Sequence, residues 1–173
     1  MRPNLILLSV LCLPLAGRSE PLAAPAGASA TAYPAPLINA RAAPAFQIKD
    51  ATGKTWTLAD ANDKPLLIDF WATWCRPCLD ALPDVNNFYK LHKARLGVLG
   101  LNIDIQGWSV AKPMAERYAL AYPIAVADPK LSKAFGAKGY PFLALIYRGK
   151  IVKTLIGGHR VKDLEKALAP WLQ

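Results

Sequence analysis

The apolar positions of the chain fall into short unbroken blocks and spaced stripes. Leu66-Leu67-Ile68-Asp69-Phe70-Trp71 is nearly continuous, which predicts a central strand buried on both faces. Leu96 to Ile105 predicts a second buried strand, ending in Asn102-Ile103-Asp104, and Ile124-Ala125-Val126 predicts a short third. Phe142 to Tyr147 and Ile151 to Ile156 predict two more strands. Their connection, Arg148-Gly149-Lys150, is tight enough to imply a hairpin, so they pair antiparallel. Helices are predicted from Arg76 to Ala94, from Val110 to Leu120 with Pro113 in the first turn, and from Leu131 to Phe135, closed by Gly136. A last helix carries Val161, Leu164, Leu168 and Trp171 on one face. Before all of these, Phe46 and Ile48 face Thr55-Trp56-Thr57 across a turn at Asp50 to Lys54, a short N-terminal hairpin. Strand and helix alternate early and an antiparallel pair comes late. The expected fold is α/β, a mixed sheet with helices on both faces, in a single domain from 45 to 173.

The first 44 residues read differently. Leu5 to Ala16 is an apolar run behind Arg2. A spanning helix needs roughly 18 to 20 apolar residues, and this run is shorter. It fits the apolar stretch of a signal peptide over residues 1–19, with Gly17 and Ser19 as the small residues before the cut; an uncut N-terminal anchor is the other option. Residues 20–44 are dominated by Ala and Pro, with no apolar period, and read as a linker. On this reading the domain is exported, soluble in the periplasm or tethered to the membrane by its leader. It then meets an oxidising compartment with two of its three cysteines.

Composition narrows the function classes. Of 173 residues, 53% are hydrophobic and 19% charged, enough for a full core and too ordered a mixture for a disordered chain. The net charge of +9 would suit acidic partners, but no cluster of Lys and Arg with aromatics marks a nucleic-acid site. Three cysteines are too few to staple a small domain.

Two of them carry the chemistry. Trp74-Cys75-Arg76-Pro77-Cys78 lies where the central strand gives way to a helix. Cysteines three apart at a helix start share one turn, close enough to form a bond and release it. The helix N-terminus favours a thiolate at Cys75, and Arg76 adds a neighbouring positive charge. Pro77 in the first turn costs no hydrogen bond, whereas Pro83 lies deeper and should kink the helix. Structural zinc would require four ligands, and beyond this pair the domain offers His92 and His159 without a second ligand motif, so no metal is expected.

Asp69-Phe70-Trp71-Ala72-Thr73-Trp74-Cys75-Arg76-Pro77-Cys78 resembles the active-site segment of thioredoxins. Gly139-Tyr140-Pro141, a strand, Arg148-Gly149-Lys150, a second strand and Gly157-Gly158 resemble the thioredoxin C-terminal half. An added strand-helix stretch from Gln106 to Tyr122, with the opening Pro44 to Ile48, is more similar to the TlpA/ResA/DsbE-type exported thiol-disulfide oxidoreductases than to cytosolic thioredoxin.

The resemblance implies a thioredoxin-like fold and a set of roles. Cys75 would be the exposed attacking thiolate and Cys78 the buried thiol that resolves the mixed disulfide, the two closing into a redox disulfide. Pro141 would be cis and face the pair, with Tyr140 offering backbone to an extended substrate. Trp74, Arg76 and Pro77 would flank the client. Asp69 would take the Cys78 proton through a water, unless it merely finds a local polar partner. Thioredoxins place a lysine two residues before Asn102-Ile103-Asp104, where this chain has Gly100; many TlpA/ResA-type proteins place a glutamate three after the second cysteine, where it has Ala81. The implied clients are proteins with a disulfide or dithiol, such as those in cytochrome c or metalloprotein assembly. A membrane electron donor would return the pair to its reduced form, and no cofactor is implied. The chain is too short for the large helical insertion of DsbA-like oxidases, which favours a reductant. The alternatives are a disulfide oxidase or isomerase, and a thioredoxin-fold copper-binding assembly protein using His159. His159 could equally cap the last helix.

Overall fold

The structure is a computed structural model and describes residues 40–173. The expected signal peptide and residues 20–39 of the expected linker lie outside the described residues. In chain order the elements are β1 (Arg41–Ala42), β2 (Gln47–Lys49), β3 (Thr55–Thr57), β4 (Leu66–Trp71), α1 (Arg76–His92), β5 (Gly97–Asn102), α2 (Trp108–Arg117), β6 (Ile124–Val126), α3 (Pro129–Ala134), β7 (Phe142–Tyr147), β8 (Lys150–Ile156) and α4 (Val161–Leu168).

Among the described residues the strands form a six-stranded sheet in the order β1-β8-β7-β4-β5-β6. β4, β5 and β6 run parallel, joined by the crossovers through α1 and α2. β7 is antiparallel to β4, and β8 to β7. β4 and β7 lie centrally with every residue buried, as their unbroken apolar runs require. Arg148 and Gly149 both take positive φ, 48° and 71°, the backbone a tight antiparallel connection demands.

Two layers of core follow from the alternation along β4. Leu66, Ile68 and Phe70 pack with Phe135, Phe142 and Trp56 on one face. Leu67 points the other way, into Val85 and Phe88 of α1 and Leu164 and Leu168 of α4. His92 and Glu165, 2.9 Å apart, tie α1 to α4 at the rim of that layer.

Several boundaries differ from the expected ones. Arg41 and Ala42, at the end of the segment read as linker, pair with Ile151 and Lys150 and add an edge strand to the sheet. The Arg41 guanidinium donates to the carbonyls of Ala134 and Phe135, placing a cation at the C-terminal end of α3. The hairpin β2-β3 forms its own two-stranded sheet. It is pinned by Asp50, whose carboxylate accepts from Thr52 N, Lys54 N and Trp56 Nε1 at 2.8 to 3.1 Å. The stretch from Gln106 to Tyr122 holds the helix α2, and the strand that accompanies it, β6, begins beyond it at Ile124. α2 opens two residues before its expected start, after Gly107 at φ 61°, and stops at Arg117, because Ala119 takes φ 48°.

Candidate active site

Cys75 caps the N-terminus of α1, and Arg76 and Pro77 begin the helix. Cys75 and Cys78 form a disulfide with Cα atoms 5.2 Å apart. Cys75 Sγ accepts a hydrogen bond from Cys78 N at 3.3 Å. In the reduced protein the same N–H and the helix end face a Cys75 thiolate. The resemblance implied an exposed Cys75; in the disulfide it is 6% exposed against 1% for Cys78. Cys75 is thus the more accessible of the two sulfurs. Arg76 is less available as a counter-charge than its position suggests. Its Nε lies 3.0 Å from Asp80 Oδ1, and both side chains are exposed. α1 continues through Pro83 to His92.

The loop that delivers Cys75 is held from the neighbouring strand end. Asp104 accepts from Thr73 N at 2.8 Å and from Thr73 Oγ1 at 2.9 Å. Asn102 Nδ2 donates to Asp104 Oδ2 at 2.6 Å. Asp104 and Asn102 are buried, so the Asp104 oxygens are satisfied by protein donors. β5 therefore ends at Asn102, short of the expected Ile105, as the next residues turn to build the clamp.

On the opposite side the Tyr140-Pro141 peptide is cis, the geometry the resemblance implies. Pro141 is buried, and its carbonyl accepts from Gly157 N at 2.9 Å. Tyr140 is anchored by a 2.6 Å hydrogen bond between its hydroxyl and Ser132 Oγ on α3. Its ring stands edge-on to Trp74, with centroids 5.9 Å apart. Trp74 is 63% exposed, so the disulfide lies beside an open aromatic surface. Ile105, next to Asp104, is 89% exposed.

Asp69 is on β4, aligned with Gly100 of β5 and Leu143 of β7. It is buried, and burial pushes its carboxyl up to about 7, partly countered by a hydrogen bond from Tyr122. Tyr122 Oη donates to Asp69 Oδ2 at 3.2 Å. The tyrosine is itself raised well above its ordinary value by burial and by the adjacent carboxyl, so it remains the proton donor in this pair. A carboxyl that titrates near neutrality, on the strand that leads into the cysteine loop, is chemically suited to accept a proton at physiological pH.

A disulfide between two cysteines three apart at a helix start is an arrangement that thiol-disulfide exchange can use. The redoxin family pattern matches residues 39–168. The chain belongs to the redoxin family. It is similar to the thiol-disulfide oxidoreductase ResA of Geobacillus kaustophilus, 33% identical over 129 residues, 73% of this chain and 74% of the relative. It is also similar to the thioredoxin of Alicyclobacillus acidocaldarius, 34% identical over 126 residues, 69% of this chain and 99% of the relative. Among solved structures, the thioredoxin-family thiol:disulfide interchange protein of Chlorobium tepidum has the same fold, with a TM-score of 0.68 over 78% of this chain and 98% of that one, at 24% identity. This redoxin is a thiol-disulfide oxidoreductase of the ResA/DsbE type, with a thioredoxin-like fold.

Within this redoxin, Cys75, Cys78, Trp74, Arg76 and Pro77 occupy one strand-to-helix junction, and Tyr140, which precedes the cis Pro141, meets it through its ring contact with Trp74. His159 does not cap α4. Arg160 holds the cap position, Asp84 Oδ1 accepts from Val161 N at 3.2 Å, and His159 Nε2 is buried with no hydrogen-bond partner. Among the described residues no three His, Cys, Asp or Glu side chains gather as a metal-binding group. No helix among the described residues is long and apolar enough to cross a membrane. The residues that sequence reasoning missed are Asp104 with Asn102, Ser132 and Tyr122. Asn102-Ile103-Asp104 stood out as a polar end on an apolar strand, which was a usable signal. A lone Ser in a short helix and a Tyr at the end of a loop carried none.

Proposed function

We propose that this redoxin is an exported reductant of selected protein disulfides, acting through Cys75 and Cys78. What supports the direction is how few polar groups meet Cys75 Sγ in the disulfide, which argues for only modest stabilisation of its thiolate. Cys75 Sγ accepts a single protein N–H, and the adjacent guanidinium is engaged by Asp80. A strong oxidant owes its potential, about −120 mV in DsbA, to a heavily stabilised thiolate; thioredoxin, at about −270 mV, is a reductant.

In this reading the Cys75 thiolate attacks one sulfur of a client disulfide, breaking that S–S bond and forming a mixed disulfide. The released client thiolate takes a proton from solvent. Cys78 gives its proton to Asp69 and attacks Cys75 Sγ. The Cys75–Cys78 bond forms, the mixed disulfide breaks, and the second client sulfur leaves as a thiolate. Two electrons pass to the client, and the pair is left oxidised. Trp74, Arg76, Pro77 and Tyr140 border the entering chain, and Pro141 faces the sulfurs. A membrane electron donor restores the dithiol, and the N-terminal segment directs export to the periplasm or tethers the domain there. Clients with paired cysteines in cytochrome c or metalloprotein assembly suit this chemistry.

Equilibration with glutathione buffers, read by alkylation and mass, tests the direction. A potential below about −200 mV is expected, and one above about −150 mV overturns the reductant reading.

A further inference from the structure

Asp69 is enclosed by elements that offer it few polar groups. β5 places Gly100 beside it and β7 places Leu143. The layer on the Leu67 face is apolar, with Val85 and Phe88 of α1 and Leu164 and Leu168 of α4. The titratable groups that α1 brings to the interior are Cys78 and Tyr89. Its other charged groups are turned elsewhere: Arg76 and Asp80 pair in solvent, Asp84 meets the start of α4, Lys90 is exposed, and His92 pairs with Glu165. On α4, Lys162, Asp163 and Lys166 are exposed. Among the described residues, Tyr122 supplies the side-chain hydrogen bond to Asp69, at 3.2 Å.

The chain is built to put Tyr122 there. A Cβ added at Gly100 would sit 2.8 Å from Tyr122 Cε2 and 3.2 Å from Trp71 Nε1. The missing side chain of Gly100 is therefore the space into which the tyrosine ring fits. Buried Asn86 on α1 grips the turn before Tyr122 with both ends of its amide. Its Nδ2 donates to Ala119 O at 3.0 Å, and its Oδ1 accepts from Ala121 N at 2.8 Å. On the far side, Gly100 N donates to Pro123 O at 2.9 Å. The ring of Tyr89 meets that of Tyr122 edge-on at 6.0 Å. Tyr122 is thus fixed from α1 before it, from β5 after it, and along its ring.

We propose that Tyr122 is the positioning residue for Asp69: lodged over Gly100, its hydroxyl holds the carboxylate in the orientation and charge state that accept the Cys78 proton. The inference rests on Asp69 being the base of the resolving step. The hydroxyl donates to the carboxylate and favours its ionised form, against burial, which disfavours it. Asn86 acts one step further out, through the turn it brackets.

The test follows the resolving step directly. The mixed disulfide between Cys75 and a thiol peptide is formed, and peptide release by Cys78 is timed by rapid quench from pH 5 to 9. In the wild type, release slows toward low pH as Asp69 is protonated. Tyr122→Phe is expected to move that limb upward by roughly one pH unit, the worth of one hydrogen bond to a charged group. Release is then several-fold slower at pH 7 and little changed at pH 9. The carbon-13 signal of the Asp69 carboxyl, titrated in the same protein, is expected to shift its midpoint in the same direction. Gly100→Ala, which displaces the ring, is expected to reproduce the shift while the tyrosine remains. Asp69→Asn is expected to remove the limb, and adding Tyr122→Phe to it should change nothing further. If Asp69→Asn removes the limb but Tyr122→Phe leaves both the profile and the carboxyl titration in place, Tyr122 is packing alone and the proposal fails. If Asp69→Asn leaves the limb intact, the base assignment fails first and takes the proposal with it.

Discussion

At the scale of single residues, the two sulfurs have unequal surroundings. Cys75 caps a helix and keeps a sliver of exposure, whereas Cys78 lies within the first turn and is closed over. A thiolate at the helix end is stabilised by the peptide dipoles; one in an apolar wall is not. On the proposed mechanism the first sulfur meets the client and the second completes the exchange. Cys78→Ser should leave Cys75 able to attack and unable to let go. Incubated with a disulfide client and run without reductant, this variant is expected to accumulate a covalent adduct that dithiothreitol dissolves, while Cys75→Ser forms none. Absence of the adduct would mean that Cys75 does not lead the attack. The placing of the pair at a helix start was legible beforehand, because an N-cap position, a proline in the first turn and a three-residue spacing are local properties, whereas the order of attack is what the family resemblance implies. Arg76 stands next to Cys75 in sequence, and the structure adds that Asp80, one helical turn on, pairs with it in solvent.

At the scale of elements, the site depends on strand ends more than on strands. β4 and β5 run side by side, and the residues just past them, Thr73 and Asp104, lock together. Asp104→Ala would leave Thr73 N, Thr73 Oγ1 and Asn102 Nδ2 without their acceptor. Unsatisfied buried donors cost roughly 1 to 3 kcal/mol each, so a loss of about 3 kcal/mol in unfolding free energy is expected, measured by urea denaturation. The same variant should lower the rate of client reduction, because the loop carrying Trp74 and Cys75 loses its tether. The element order was readable from periodicity; the ends were not. β5 was expected to reach Ile105 and α2 to begin at Val110, yet Asn102 and Asp104 turn inward as a clamp, and Gly107 lets the helix start early. Burial of a polar pair at a strand end is decided by the partner that arrives from another strand, here Thr73.

At the scale of the whole molecule, an acid buried between layers links folding to pH. The ordinary aspartate value is 3.8, and in the folded protein burial raises Asp69 to about 7. The folded state thus holds a proton that the unfolded chain has lost throughout that window. The sign follows: stability is greatest below about pH 4 as far as this group is concerned, and falls as pH rises toward 8. Between pH 5 and 8 the loss attributable to Asp69 is roughly 3 kcal/mol. Asp69→Asn should flatten that part of the curve. Denaturation series for both proteins at pH 5 and 8 measure it; parallel curves would show that Asp69 titrates as an ordinary surface carboxyl.

By itself the sequence determined the mixed α/β order, the cysteine pair at a helix start and the acid on the central strand. These follow from side-chain periodicity and from the chemistry of neighbours a few residues apart. Only the tertiary structure decided that Arg41 and Ala42 extend the sheet, that Asp104 reaches back to Thr73, and that Tyr122 fills the space over Gly100 to meet Asp69. Those contacts join residues 22 to 110 positions apart, and their energy lies in excluding water from groups that the chain brings together only when the layers close.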